Sequence, residues 1–422
     1  MLVQFRFKNF KSFRDEAVLD LSATKITEFA ERVVSIGGER LLRAAAIYGA
    51  NASGKSNVYE ALLYMSIYVK DSFNYGDEKE SFVQYRPIPF LLDSTSETED
   101  SLFEVYFMLP DDSKGKMYHY GFCVNHEGVT EEWLNTKAKT ARKYKAIFYR
   151  NEKEGEKELD LSGLSKSSRD NIEAALDSRV LIASLGAKLN VEICKSVRDW
   201  FLANKFSNFG NPMMNVVLSR RMPRGFIEDE SVQQRVVDYF SSFDRSIKGF
   251  NVERMTMDET VQGERYRIDA FHKKFDCDVI VPLPLEWESA GTLKMFALYP
   301  ELQSVLEKGS VFVVDELNAR LHPLLVRNFV LLFLNPKINV HHAQLIFTTH
   351  DTWQLSNRLL RRDEIWFTEK DERGASALYS LADIADEGGT HVRKDVSYEK
   401  NYLLGKYGAI PDLKDMNILA ED

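Results

Sequence analysis

The segment AIYGANASGKSN, residues 46–57, restricts the possible folds of this chain more than any other segment. An apolar run ends at Tyr48, and a loop with glycines at Gly49 and Gly54 follows it. Lys55 comes next, at the start of a run with helical periodicity. A G-x-x-x-x-G-K-S loop between a strand and a helix surrounds phosphate groups with backbone amides. We therefore expect an α/β fold with a nucleotide-binding loop at this position.

The residues of this loop have separate expected tasks. Gly49 and Gly54 permit backbone angles that direct successive N–H groups at phosphate oxygens. Lys55 would neutralise the β- and γ-phosphates of a nucleotide, and the Ser56 hydroxyl would bind Mg²⁺. The predicted nucleotide-binding residues of the loop are Gly49, Ala50, Asn51, Ala52, Ser53, Gly54, Lys55, Ser56 and Asn57. The alternative is a glycine turn followed by an exposed lysine.

A second segment, SVFVVDELNARLHP, places two acids at the end of an apolar run. The run Val311 to Val314 predicts a buried strand, and ligands bind at the carboxyl ends of such strands in open α/β sheets. Asp315 is therefore the predicted second metal ligand, together with Ser56. Glu316 is the predicted general base that polarises the attacking water. The alternative is a strand that ends in solvated acids.

Two further segments carry candidate contacts with phosphate groups. LIFTTHD is an apolar strand that ends at His350, whose imidazole can contact a γ-phosphate. WESAGTLKMFAL places Ser289, Gly291 and Thr292 at the start of a helical run, and a helix N-terminus is an anion site. A lone histidine is more often structural, and S-x-G turns are common. The two segments are candidates for phosphate contacts because they lie on either side of the acid strand in the sequence.

Composition limits the class of protein. The 422 residues are 44% apolar and 28% charged, which is ordinary for a globular protein. A net charge of −9 disfavours global attraction to nucleic acid, whose binding depends on Lys and Arg. The three cysteines lie far apart, which suits a reducing cytosol and argues against a zinc site or disulfides. The N-terminus lacks a signal-peptide h-region and the apolar runs are short, so we expect a cytoplasmic protein without a membrane partner.

The periodicity of the sequence changes along the chain. Residues 2–22 and 100–160 alternate in the manner of antiparallel strands joined by hairpin turns. Residues 165–246 have a helical period without three or four successive heptads, so a long coiled-coil arm is not expected. The C-terminal third alternates between helical and strand patterns.

These segments, in this order, resemble the ABC-type ATPase head that the SMC, RecF and OLD proteins of the AAA-family ATPases share. The resemblance implies Walker A at Gly49 to Ser56, a signature at Ser289 to Thr292, Walker B at Asp315–Glu316 and a switch histidine at His350. It also implies ATP and Mg²⁺ as the bound ligands. The catalytic residues that it implies are Glu316, His350 and Lys55.

The implied fold is an ABC-type head, in which a mixed sheet carries the P-loop beside an antiparallel β subdomain, with a helical insertion. Residues 1–160 would form the N-terminal part of the head, 161–248 the helical insertion and 249–422 the C-terminal part. The opening FKNFKSF is similar to the first strand of this group, which lies near the nucleotide. Ala319 stands in the D-loop where many relatives have serine, and Gln84 is the candidate Q-loop glutamine.

The C-terminal part resembles more narrowly the ATPase subunits of bacterial anti-phage systems of the RloA, AbiL and Septu kind. The segments that carry this resemblance are HPLLVRNFVLLF, AQLIFTTHDTWQL, LRRDEIWFTEK and KNYLLGKYGAIPDL. The resemblance implies a homodimer or higher oligomer through the nucleotide interface, and a separate effector protein, a nuclease or toxin. The residues after His350 show no acidic metal-binding motif of an OLD-type nuclease.

Two classes of function remain open. In the first, nucleotide-dependent dimerisation of an ATPase controls the separate effector. In the second, the chain is a RecF- or SMC-like DNA-binding ATPase of DNA repair or chromosome maintenance. The basic stretches KAKTARKYK, residues 137–145, and SRRMPR, residues 219–224, could contact nucleic acid, or form a solvated hairpin and a charged loop.

Overall fold

The computed structural model describes residues 1–76, 79–109, 115–211, 222, 225–241, 244–255, 265–385 and 389–411. Its strands are β1 (Leu2–Lys8), β2 (Ala17–Asp20), β3 (Val34–Ile36), β4 (Glu39–Leu41), β5 (Ala44–Tyr48), β6 (Ser101–Phe107), β7 (Met117–Val124), β8 (Val129–Lys137), β9 (Lys145–Asn151), β10 (Glu158–Asp160), β11 (Lys205–Asn208), β12 (Ile247–Met255), β13 (Arg265–Lys273), β14 (Ile280–Pro284), β15 (Val311–Asp315), β16 (Gln344–Thr348), β17 (Ile365–Lys370) and β18 (Ser376–Ser380). Its helices are α1 (Lys55–Asp71), α2 (Lys79–Gln84), α3 (Lys166–Ala175), α4 (Ile182–Lys188), α5 (Glu192–Ala203), α6 (Glu230–Ser241), α7 (Ala290–Lys308), α8 (Pro323–Leu334) and α9 (Tyr398–Leu403).

A six-stranded sheet with the order β11-β15-β16-β5-β17-β18 carries the candidate motifs. Its strands pair in parallel, except for β18, which is antiparallel to β17. Every residue of β5, β15 and β16 is buried, as expected for parallel strands that are covered on both faces. Because the strands are parallel, the P-loop after β5 and the acids after β15 meet at one edge of the sheet.

Strand β16 lies between the P-loop strand β5 and the acid strand β15. The two motifs are therefore two strand spacings apart, roughly 10 Å. A side chain from the end of β16 can consequently reach both of them. Thr348 is the last residue of β16, and it occupies this position.

The side chains of the central strands alternate between two hydrophobic cores, as the twofold period of a strand requires. Ile47 and Val313 belong to the core that contains α1 and α5, whereas Ala46 and Val314 belong to the core that contains α7 and α8. The sheet thus has helices on both faces, and the helix after the P-loop is held on one of them.

The first core is covered by a seven-stranded antiparallel sheet with the order β10-β9-β8-β7-β6-β1-β2. Phe5 of β1 pairs with Leu19 of β2 and with Val105 of β6, and all three side chains are buried in that core. Gln344, at the start of β16, is fully buried and bonds to the backbone of Leu2. The antiparallel sheet is therefore tied to the motif-bearing sheet at its first strand.

The predicted fold class is confirmed: a mixed sheet with a P-loop, an antiparallel β subdomain and additional helices. Residues 161–248 contain helices α3 to α6, and they also contribute β11 to the edge of the main sheet. The division of the chain at residues 160 and 248 stays a prediction. The basic stretch 219–224 lies outside the described residues, except for Met222. Among the described helices, none combines the length and the apolar character that a membrane crossing requires.

A buried glutamate near the start of β17 predicts a pH dependence of stability. Burial raises the pKa of Glu364 to about 8, and Asp363 acts in the same direction, while the backbone N–H of Arg361 opposes them. The Glu364 carboxyl therefore binds its proton more fully in the folded chain than in the unfolded chain between about pH 4.5 and 8. The contribution of Glu364 to the free energy of unfolding must fall as the pH rises through this window.

We expect Glu364→Gln to remove this loss, because glutamine matches the protonated carboxyl in shape and stays neutral. Urea unfolding of both proteins at about pH 5 and about pH 8.5 would measure the effect. Between these pH values the free energy of unfolding of the wild type should fall, relative to that of Glu364→Gln, by an amount on the order of 3 kcal/mol. Glu372→Gln, at an exposed position, is the matched control and should leave the pH dependence unchanged. Equal pH slopes for Glu364→Gln and wild type would contradict the prediction.

Candidate nucleotide-binding site

The P-loop is held in a conformation that requires glycine at both of its ends. Gly54 has a φ of 112°, and a Cβ there would lie 2.6 Å from the Ser376 hydroxyl. A Cβ on Gly49 would clash with the backbone carbonyl of Thr368. Helix α1 begins directly after Gly54, so the first backbone N–H groups of the helix have no intrahelical acceptor and face the loop. This arrangement is suited to an anion.

The Lys55 side chain lies across the loop. Its Nζ donates to the carbonyl oxygens of Gly49, at 2.8 Å, and Ala50, at 2.7 Å. Burial lowers the pKa of Lys55 to about 8, while Asp315 and Glu316 act in the opposite direction. The two acids compensate the charge of the ammonium only partly. A bound phosphate group would therefore stabilise the charged ammonium strongly.

Ser56 and Asp315 are brought together although 259 positions separate them in the sequence. The Ser56 hydroxyl donates to Asp315 Oδ1 at 3.1 Å, and Asn208 Nδ2 donates to Asp315 Oδ2 at 2.9 Å. Burial raises the pKa of Asp315, and the hydrogen bonds from Thr348 and Ser56 oppose the increase. A buried carboxylate beside a hydroxyl offers the oxygen ligands that Mg²⁺ prefers. The pair fits the metal that the sequence predicts.

Thr348 bridges the two acids from its position at the end of β16. Its hydroxyl donates to Asp315 Oδ1 at 2.6 Å and accepts from the backbone N–H of Glu316 at 2.8 Å. The hydroxyl therefore uses its hydrogen and a lone pair, which fixes its orientation. It orients the Asp315 carboxylate and the backbone of Glu316 together.

Glu316 has a left-handed backbone conformation, with a φ of 54°. Such a conformation in a residue other than glycine is strained, and it concentrates at functional sites. The carboxylate lies against Gly210, where an added Cβ would clash with Oε2. The absence of a side chain at residue 210 thus leaves room for the predicted general base.

Asn318 connects the segment after the acids with the segment of the predicted switch histidine. Its Oδ1 accepts from the Thr349 hydroxyl at 2.9 Å and from the backbone N–H of His350 at 3.2 Å. Desolvation and the Lys55 charge lower the pKa of His350, while Asp315 opposes them. The ring is therefore favoured in its neutral form near pH 7, in which one nitrogen can donate to a phosphate oxygen.

The predicted signature residues lie at the start of α7. Ser289 is the N-cap, and its hydroxyl accepts from the backbone N–H of Thr292 at 3.1 Å. A Cβ on Gly291 would lie 3.5 Å from the carbonyl oxygen of Arg320, in the segment after the acids. The start of α7 therefore lies close to the D-loop region, through the approach of Gly291 to Arg320.

Lys294, in the second turn of α7, ties the signature helix to both flanks of the acid strand. Its Nζ donates to the carbonyls of Phe209, at 3.0 Å, and Ala319, at 2.7 Å, and lies 4.1 Å from the Phe209 ring centroid. Burial lowers the pKa of Lys294 to about 7, Arg320 acts in the same direction, and Glu316 opposes them. The D-loop carbonyl of Ala319 is thereby held by the signature helix.

Side chains distant in sequence support the P-loop from outside. The Ser376 hydroxyl donates to the Ser53 carbonyl at 2.8 Å and lies 2.7 Å from the Ser12 hydroxyl, from which it can accept. Ser12 also accepts from Asn57 Nδ2 at 2.6 Å. Since Ser12 belongs to FKNFKSF, the predicted proximity of this segment to the loop agrees with the structure. Gln84 is exposed at the end of α2, and its role as Q-loop glutamine stays a prediction.

The parallel sheet, the P-loop before α1, and an acid strand separated from β5 by one strand define a P-loop domain. The model of the family described as "AAA domain, putative AbiEii toxin, Type IV TA system" matches residues 44–353, nearly three quarters of the chain. The chain belongs to this family, and the predicted resemblance is confirmed.

The solved structures include a similar one, the SMC head domain from Thermotoga maritima. It has 15% sequence identity and a TM-score of 0.42, and the alignment covers 90% of this chain and 98% of that chain. No curated protein matches the sequence significantly.

Proposed function

We propose that this protein is a cytoplasmic ATPase that binds ATP with Mg²⁺ and hydrolyses it. The observation that carries the proposal is the contact between Ser56 and Asp315, beside the buried ammonium of Lys55. A hydroxyl, a carboxylate and a lysine at the N-terminus of a helix are the groups that bind a nucleoside triphosphate and its metal ion.

In the proposed reaction each residue acts on a defined part of the nucleotide. Ser56 and Asp315 hold the metal ion, which when bound supplies charge neutralisation to the phosphates. Lys55 binds the β- and γ-phosphates, and Glu316 accepts a proton from the attacking water. His350 contacts the γ-phosphate as a neutral hydrogen-bond donor.

We further propose that the site is completed by a second copy of the chain. Ser289, Gly291 and Thr292 form a helix N-terminus suited to an anion, in which Ser289 and Thr292 bond to each other and Gly291 approaches Arg320 of the D-loop region. A partner molecule related by twofold symmetry would place its signature over the γ-phosphate. Dimerisation would then depend on ATP, because the nucleotide lies in the interface.

Exposed apolar side chains beside these motifs support a twofold interface. Trp287, two residues before Ser289, is 72% exposed, Leu324 after the D-loop is 59% exposed, and Trp353 after His350 is 42% exposed. Gln354 Nε2 donates to the carbonyl of Pro323 at 2.8 Å, so the segments of Leu324 and Trp353 are adjacent. Aromatic residues near the centre of an interface often carry much of its binding energy.

Trp287→Ser tests the interface without touching the P-loop. We expect the variant to bind ATP as the wild type does and to raise the dissociation constant of the ATP-bound dimer by about 30-fold. Analytical ultracentrifugation in ATP, in a hydrolysis-deficient Glu316→Gln background, would measure it.

Phe275→Ser is the matched control, because Phe275 is a fully exposed aromatic residue at the β13–β14 turn, at the opposite end of β14 from Trp287. This control should dimerise normally. If Trp287→Ser also dimerised normally, the proposed position of the interface would be wrong.

The dimer is proposed to control a separate effector protein, in anti-phage defence. The family description names a toxin and a type IV toxin–antitoxin system, and the C-terminal segments resemble ATPase subunits that act beside an effector. The alternative function is a RecF- or SMC-like DNA-binding ATPase, which the exposed basic hairpin 137–145 favours.

Purification of the Glu316→Gln chain from its native host, with ATP and Mg²⁺, distinguishes the two functions. A stoichiometric protein partner that dissociates when ATP is omitted would support effector control. Absence of a protein partner on Glu316→Gln, together with strong stimulation of wild-type ATP turnover by DNA, would contradict it in favour of the DNA-binding ATPase. Mass spectrometry of the purified material and a turnover assay with added DNA provide these readouts.

A further inference from the structure

The hairpin between β8 and β9 is the most basic exposed segment that the structure describes. Its sequence, KAKTARKYK, residues 137–145, contains five cations and no acid, in a chain whose net charge is −9. No aspartate or glutamate occurs anywhere from Trp133 to Asn151. Positive charge is therefore concentrated in this hairpin, although the whole molecule is negatively charged.

The cations of this hairpin have no acidic partner at ion-pair distance in the described part of the fold. The cations are Lys137, Lys139, Arg142, Lys143 and Lys145, and none of them forms an ion pair with any residue that the structure describes. All residues from 138 to 146 are exposed. By contrast, Lys153, which follows β9, lies near Asp100 and Glu131.

An exposed aromatic ring lies among these cations. Tyr144 is 39% exposed, and it meets the rings of Tyr106 and His119 edge-on, at centroid distances of 6.3 and 5.7 Å. No described ring stacks face to face on Tyr144. The Lys137 ammonium lies 5.6 Å from its centroid, so cation and aromatic ring form one surface.

The base of the hairpin is rigid, and the acid beneath it already has partners. The Tyr106 and His119 rings stack at 4.2 Å with an interplanar angle of 4°. Glu104 bonds to His119 and lies 3.9 Å from the Arg6 guanidinium. The carboxylate that bonds to the stacked His119 ring thus has partners of its own, and the hairpin cations form no ion pair among the described residues.

We propose that the β8–β9 hairpin binds single-stranded nucleic acid. The cations contact successive phosphates, and an unpaired base stacks on Tyr144. A duplex would satisfy the cations, but it would offer no open base face to an aromatic ring. Unpaired DNA and unpaired RNA present the same phosphates and base faces, so either nucleic acid can be the ligand. The inference does not depend on ATP hydrolysis, since the hairpin belongs to the antiparallel sheet and not to the P-loop sheet.

Fluorescence anisotropy with the full chain tests the proposal. The probes are a labelled oligonucleotide of about 30 nucleotides, as DNA and as RNA, and the corresponding DNA duplex. At about 0.1 M salt each phosphate contact contributes roughly fivefold to the affinity, with a salt slope of about −0.7 per contact. The triple variant Arg142→Glu, Lys143→Glu and Lys145→Glu should therefore bind the single strand about 100-fold more weakly, and its slope should fall by about 2.

The matched control is the triple variant Lys166→Glu, Lys195→Glu and Lys337→Glu, which makes the same change of net charge at exposed positions elsewhere. It should bind nearly as the wild type does. Tyr144→Ser should weaken binding of the single strand about tenfold and leave binding of the duplex unchanged. Equal losses in the two triple variants would overturn the proposed site. Preference for the duplex, with no effect of Tyr144→Ser, would overturn the assignment to single strands.

Discussion

Lys55→Ala will reduce ATP turnover by about 100- to 1,000-fold and will weaken ATP binding by about 10- to 100-fold. The ammonium is buried among Asp315, Glu316 and loop carbonyls, and burial lowers its pKa to about 8. A γ-phosphate would provide the full negative charge that this environment lacks. An alanine removes the cation while the glycine backbone of the loop is retained, so a residual affinity is expected. Steady-state phosphate release and calorimetric titration with ATP would measure the two effects.

Lys70→Ala is the control for this prediction, because Lys70 is an exposed lysine near the other end of the same helix. It should retain wild-type turnover. Thermal unfolding of Lys55→Ala should show no loss of stability, because the variant removes a buried charge rather than an apolar contact. Wild-type turnover in a folded Lys55→Ala protein would contradict the assignment of the phosphate site.

Glu316→Gln will retain ATP and lose turnover, by about 100- to 10,000-fold, the range that a general base contributes. The amide has the shape of the carboxylate and fits beside Gly210, but it cannot accept the proton of the attacking water. The ATP-bound state should therefore accumulate, and with it the proposed dimer. Single-turnover hydrolysis and filter binding of ATP would separate the chemical step from nucleotide affinity.

Asp315→Asn provides the contrast. The Asp315 carboxylate of the wild type is the proposed metal ligand. Asp315→Asn should therefore lose the dependence of ATP affinity on Mg²⁺, whereas Glu316→Gln should keep this dependence. If Glu316→Gln turned over ATP at the wild-type rate, another residue would have to serve as the base.

Local sequence patterns were sufficient for the parts of the site that lie within single segments. The P-loop and the acid strand have both a motif and a neighbouring apolar run, so the order strand, loop, helix could be predicted for each. The approach of Ser56 to Asp315 followed from the parallel sheet that these runs implied. The N-cap position of Ser289 likewise followed from a small-residue turn before a helical run.

Contacts between distant segments could not be predicted, because no pattern in one segment specifies its partner. Asn208 lies in β11, a strand of four residues in a region whose period predicted helices. Such a short edge strand has too few residues to establish a twofold alternation. The bridging role of Thr348 depends on β16 lying between β5 and β15, which is a property of the sheet order and not of LIFTTHD.

The burial of Lys294, in a helix, also depends on contacts between distant segments and could not be predicted. Its position in the helical run after the signature gave no sign that it would be buried, because lysines on helices are usually exposed. It is buried because the carbonyls of Phe209 and Ala319 converge on it from two loops. Those loops meet only when β11 and β15 are paired.

The central claim is that ATP joins two copies of this chain, and native mass spectrometry of Glu316→Gln tests it most directly. With ATP and Mg²⁺ we predict a dimer of about twice 48.6 kDa that retains two nucleotides, and a monomer when ATP is omitted. The double variant with Lys55→Ala should remain monomeric in ATP. A Glu316→Gln chain that binds one ATP and stays monomeric at concentrations well above the ATP dissociation constant would contradict the account.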